Sequence, residues 1–168
     1  MSLEMAHRIK YLRTDILKLS QEEFCDRIGK STNYFGYLSR FENRRRRPSL
    51  SLLLGMIKNL KVQPNWLFFG TGNIFFSSKE VDLNELKNID YRIEMIRSNI
   101  GRSDKDFAEI LGLSTGLYNY VKIHGFLSDK SKQFYYLFNI IELLGVSPNW
   151  LILGVGEMFY KATEYQSS

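Results

Sequence analysis

Cysteine is almost missing from this chain of 168 residues. Cys25 stands alone, so no intrachain disulfide forms and there is no cysteine-rich zinc framework. Histidine is nearly as scarce: His7 and His124 are far apart, and neither is spaced against a cysteine or another histidine as a metal pair would be. No apolar run approaches the ~18–20 residues of a membrane span. Met1-Ser2-Leu3-Glu4 lacks a basic stretch leading into an apolar core, so no secretory signal is expected. With one thiol, a cytoplasmic protein without metal or other cofactor is the expectation. What is present is ordinary for a globular chain: 44% hydrophobic and 24% charged residues exclude wholesale disorder. The length admits one domain or two small ones.

Charge is divided unevenly. Residues 1–80 hold 14 Lys+Arg against 7 Asp+Glu, a net +7, whereas residues 81–168 hold 9 against 11, a net −2. A polyanion is therefore drawn to the first half.

The chain also repeats itself. VQPNWLFFGTGNIFF (62–76) and VSPNWLILGVGEMFY (146–160) agree at eight of fifteen positions, 84 residues apart. Upstream, Ile9, Leu12 and Ile16 align with Ile93, Ile96 and Ile100. Ser20, Phe24, Ile28 and Gly29 align with Ser103, Phe107, Leu111 and Gly112. Leu50, Leu53 and Ile57 align with Phe134, Leu137 and Ile141. Apolar residues three and four apart line one helix face, and no two-residue alternation is sustained. The patterning predicts helices at about 4–18, 21–28, 32–42, 49–60 and 64–69, then 84–100, 104–111, 114–123, 130–144 and 148–153. The domains are expected at 1–76 and 84–160, with a linker at 77–83 and a tail at 161–168. Ser20 and Glu23 make a capping box, and Pro48 and Pro64 sit at helix starts.

Within the first copy, a short helix ends at Gly29, polar residues come after it, and an amphipathic helix comes next. Glycine permits the left-handed backbone that swings two helices to a steep angle, a helix-turn-helix arrangement whose second helix fits the DNA major groove. Arg44-Arg45-Arg46-Arg47 lies just past that helix and is suited to phosphate.

On the strings LSQEEFCDRIG (19–29), YLSRFENRRRRPS (37–49) and VQPNWLFFGTGNIF (62–75), the chain resembles the lambda-repressor-like, XRE-type helix-turn-helix proteins, especially phage CI-type repressor DNA-binding domains. SDKDFAEILGLS (103–114) and VSPNWLILGVGEMF (146–159) carry the likeness into the second copy. The resemblance implies an all-α fold of two tandem five-helix domains and sequence-specific binding of double-stranded DNA. It implies base reading by Thr32, Asn33, Tyr34, Tyr37 and Arg40, and backbone contact by Gln21, Ser31 and Arg44 to Arg47. Asn33 suits adenine and Arg40 guanine. One departure is visible in both copies: the segments Gly29–Tyr37 and Gly112–Tyr120 are about three residues longer than the usual family spacing. Either the recognition helix gains a turn or the turn itself is extended.

Plainer roles stand beside these. Ser31 fits a cap, Tyr34 and Tyr37 fit half-buried packing, the arginine run fits a solvated loop, and Glu42 fits a partner for an arginine. Cys25, Trp66 and Trp150 read as core. In the second copy, Thr115, Tyr118, Asn119 and Lys122 are the candidate DNA contacts, but Ser114 to Tyr120 carries no charge. Phe126 and Leu127 stand where the first copy has arginine, and with Phe134, Tyr135 and Tyr136 they suit a homodimer or another protein partner through 84–160. No nucleophile–base pair appears, and Gly70-Thr71-Gly72 alone makes no phosphate loop, so no catalytic residues and no enzyme activity are expected. Three readings remain: a transcriptional regulator, most simply a repressor; a protein-binding adaptor or antirepressor; and a controller of a restriction–modification or toxin–antitoxin operon.

Overall fold

The computed structural model describes residues 2–77, 81–126 and 132–160. The expected tail at 161–168, the centre of the expected linker at 78–80, and Leu127 and Lys130 lie outside the described residues. The chain divides into two compact units, Met1–Glu80 and Val81–Ser168. Both are helical, and among the described residues there is no strand, only the isolated antiparallel bridges Val62–Phe75 and Val146–Phe159.

The first unit comprises α1 (Ser2–Tyr11), α2 (Gln21–Arg27), α3 (Phe35–Glu42), α4 (Leu50–Leu60) and α5 (Pro64–Phe69). Its core is built from the predicted apolar face: Ile9, Leu12, Phe24, Ile28, Leu38, Leu53 and Ile57 are all buried, as is Cys25, whose thiol burial pushes above its ordinary pKa. The helix expected at 4–18 is not uniform. Past Tyr11 it widens into a π-helical turn, Leu12–Ile16, and this buries two neighbours at once, Leu12 and Arg13. The predicted capping box is present at α2: Ser20 Oγ accepts from the Glu23 N–H, and Glu23 accepts from the Ser20 N–H. α4 is capped by Ser49, and Pro64 opens α5. Gly55 sits where α4 crosses the end of α2; a Cβ there would stand 2.7 Å from the Ile28 carbonyl oxygen, so only glycine lets the two approach this closely.

The second unit opens with a 3₁₀ segment, Leu83–Asn88, in place of the first turns of the expected helix at 84–100. Asp82 caps it by accepting from the Asn84 N–H, a local bond that favours the tighter winding. Then come α6 (Ile89–Asn99), α7 (Asp104–Leu111), α8 (Thr115–His124), α9 (Gln133–Leu144) and α10 (Pro148–Leu153). Several bonds of the first unit recur 84 residues on. Arg8 donates to the Leu67 and Phe68 carbonyls, and Arg92 to those of Leu151 and Ile152. The Gln63 N–H meets the Ile74 carbonyl, and Ser147 meets Met158. Where α9 meets the end of α7 the solution differs from that at Gly55: buried Asn139 stands at the register of that glycine and donates to the Leu111 carbonyl. Trp66 is buried as expected, whereas Trp150 is only half-buried.

Candidate nucleic-acid interface

The candidate interface begins at the turn after α2. Gly29 has φ +71°, the Lys30 N–H reaches back to the Cys25 carbonyl, and the Gly29 N–H to that of Asp26. This is a Schellman ending that turns the chain sharply. The extra residues noted in the sequence are then absorbed in two different ways. In the first unit Thr32–Tyr34 winds as a 3₁₀ turn and α3 starts only at Phe35. The helix expected at 32–42 is thus shorter, its start delayed by the 3₁₀ turn. In the second unit Ser114 caps at once and α8 runs from Thr115, so there the helix takes up the added length.

α3 is fixed from behind by a buried ion pair. Arg13 Nε and Nη2 donate to the two Glu42 carboxylate oxygens at 2.7 and 2.8 Å, and Arg13 Nη1 donates to the Leu19 carbonyl at 2.8 Å. Gln21 Nε2 donates to Glu42 Oε2 at 2.8 Å. Glu42 does pair with an arginine, but with one from the π-helical turn and not from the run just beyond α3. Gln21, expected at the DNA backbone, has one amide hydrogen committed to this network.

The loop after α3 is held just as firmly. The Arg45 N–H bonds the Arg40 carbonyl and the Arg44 N–H that of Phe41, a second Schellman ending. Here the left-handed residue is Arg44, at φ +61°. Two tyrosines brace the rest of the loop. Tyr37 donates to the Arg47 carbonyl at 2.7 Å, and its ring lies 4.7 Å from the Arg46 guanidinium. Tyr34 shares a hydrogen bond of 2.9 Å with Ser49 Oγ, the cap of α4. The two rings are 4.7 Å apart, and Lys30 lies over that of Tyr34. Burial pushes the Tyr34 hydroxyl up to about 12 and shifts Tyr37 the same way. Tyr34 and Tyr37, expected among the base readers, are half-buried, and their hydroxyls are bonded to Ser49 and to the Arg47 carbonyl.

Asn33, Arg40 and Ser31 are exposed or half-exposed, and all four arginines of the run are exposed. The side chain of Thr32 lies outside the described residues. Among the described residues none of Arg44, Arg45, Arg46 and Arg47 makes an ion pair. A glycine at position 44 would take the same backbone without the Cβ clash, so Arg44→Gly is expected to stabilise the first unit by up to about 1 kcal/mol in chemical denaturation. A loss of stability would show that the arginine side chain itself supports the turn.

The matching surface of the second unit is different. Asp104 opens α7 where Gln21 opens α2, and it holds Arg97 at 3.3 Å and Lys122 at 3.0 Å. Lys122 also lies 4.0 Å from Glu94. Lys122 is therefore already paired. Tyr118 is 0% exposed and donates to Glu94 at 3.1 Å, which removes it from the candidate DNA contacts: its ring fills the core between Phe107 and Phe126. Burial and the Glu94 carboxylate raise its pKa. Thr115 and Asn119 are exposed. Phe126 and Tyr136, expected on a partner surface, are also core, Phe134 is half-buried and Tyr135 is exposed; the other exposed large apolar side chains of the second unit include Tyr120 and Ile123 of α8, Tyr91 and Leu143.

One residue that the patterning did not single out is Phe35, 45% exposed at the head of α3. Its spacing to Leu38 reads as core, and the 3₁₀ turn before it hides where the helical phase begins.

A family model for the helix-turn-helix matches residues 9–67, from within α1 through most of α5. The first unit thus contains a segment similar to the XRE-type helix-turn-helix, the class of DNA-binding transcription regulators. No curated protein and no solved structure matches the chain significantly. Among the described residues no helix is long and apolar enough to cross a membrane.

Proposed function

We propose that the chain is a cytoplasmic, sequence-specific regulator of transcription, a repressor of the phage type, acting by binding and not by catalysis. The observation that carries this reading is the exposed run Arg44 to Arg47, free of ion pairs among the described residues and braced by Tyr34 and Tyr37 against the helix beyond the turn. Exposed guanidinium groups on a braced loop beside an exposed helix start are what a duplex backbone and its major groove require. Phosphate contacts set the register, and Asn33 and Arg40 read base edges.

The recurrence of bonds 84 residues on supports reading the second unit as a second helix-turn-helix of the same design. Its reading surface has exchanged charge for pairing: Asp104 neutralises Lys122, and Ile123 (79% exposed) and Tyr120 (53%) stand on α8. That combination favours contact with protein, most simply a second copy that would pair two half-sites, over a second grip on DNA. Selection from random duplexes tests the whole reading: a recovered motif of paired half-sites supports it, and the absence of any enriched motif refutes it. On the recovered duplex, Asn33→Ala is expected to relax preference at one or two base pairs by ~1–3 kcal/mol. Unchanged specificity would move the reading register away from Asn33.

A further inference from the structure

Bracing the two tyrosines changes which side chains are left to face a base. About 100° separates successive residues of α3, so Gly36 and Arg40 lie at the centre of its outward face, opposite Leu38, Phe41 and Glu42, which are buried. Tyr37 flanks that centre on one side and is tied to the arginine loop. Ser39 flanks it on the other; Phe35 lies beyond Ser39, at the edge of the buried face, yet as the first residue of α3 it is 45% exposed and has no ring contact among the described residues. Gly36 is not required by the fold: a Cβ built there meets nothing within 4 Å, and alanine is the better helix former. The first turn of α3 therefore presents an apolar ring beside a stretch of bare backbone. Next to it stands the uncompensated arginine loop, whose charge suits a nucleic-acid duplex.

In the major groove only thymine offers an apolar group, its C5-methyl. We propose that Phe35 is a specificity-determining residue that contacts a thymine methyl, with Gly36 allowing α3 to approach the base edges. The proposal rests on the duplex-binding reading and deepens it.

The experiment takes the full-length chain and its selected duplex and replaces each thymine of a half-site in turn with deoxyuridine, which removes only the methyl. Affinities are measured at one fixed salt concentration for the native chain and for Phe35→Ala, an exposed substitution whose melting temperature is checked in parallel. At one thymine the native chain is expected to lose about fourfold on demethylation, the worth of one buried methyl-sized group. Phe35→Ala should bind the thymine duplex more weakly by a similar factor and be indifferent to demethylation at that position. The proposal is overturned if no deoxyuridine affects the native chain, or if Phe35→Ala remains equally sensitive. A native chain that distinguishes no duplex from any other overturns the duplex-binding reading itself, and this one with it.

Discussion

Replacing Arg44, Arg45, Arg46 and Arg47 together with alanine is expected to weaken binding to every duplex alike and to flatten its salt dependence. Each phosphate contact contributes about 0.9 to the slope of log affinity against log salt, through the counterion it releases. If three of the four arginines make such contacts, the slope falls by about 2.7. Over a fourfold rise in salt, the native chain then loses roughly 40 times more affinity than the variant. The loop should survive the change, because its ends are held by backbone bonds to Arg40 and Phe41 and by the hydroxyl bond between Tyr34 and Ser49. Titrations at several salt concentrations, on a selected and an unrelated duplex, give the result directly. An unchanged slope would leave the run without a phosphate role, and a loss confined to the selected duplex would make it a base reader.

Glu42→Ala is expected to cost about 3–5 kcal/mol, because it leaves the Arg13 guanidinium buried without its counter-charge. That is a large part of the roughly 5–15 kcal/mol typical of a whole domain. The side chains of Arg13 and Glu42 are 10% and 3% exposed, so water does little to compensate. Replacing both partners with apolar residues of similar volume should recover most of the loss, since the desolvation of two charges is then avoided. Urea denaturation of the single and double variants separates the cases. A single substitution costing less than about 1 kcal/mol would mean that the pair is not what fastens the π-helical turn to α3. The double variant should still bind DNA less well than its stability suggests, because Gln21 would have lost the carboxylate that orients it.

Much of the fold was legible because it depends on short-range pattern. The apolar spacing of Ile9, Leu12, Leu53 and Ile57 marks buried helix faces, Ser20 with Glu23 marks a helix start, and Gly29 marks a helix end. These are rules of backbone geometry that a few neighbouring residues satisfy by themselves. Less of the candidate interface was legible. Tyr34, Tyr37 and Tyr118 look alike in sequence, yet two brace a loop through their hydroxyls and the third is sealed in a core. Lys122 reads as a free cation until Asp104, distant in sequence, is brought beside it.

The sequence by itself determined an all-helical chain, its positive first half and the turn that precedes α3, since composition, periodicity and glycine placement act locally. Tertiary structure alone decided the phase of α3 and the fate of each polar group around it. The burial of Arg13 against Glu42 and the capture of the tyrosine hydroxyls depend on partners many residues away. Desolvation makes an unpartnered polar group costly, so it is packing that selects which side chains are bound inward and which stay available to a ligand.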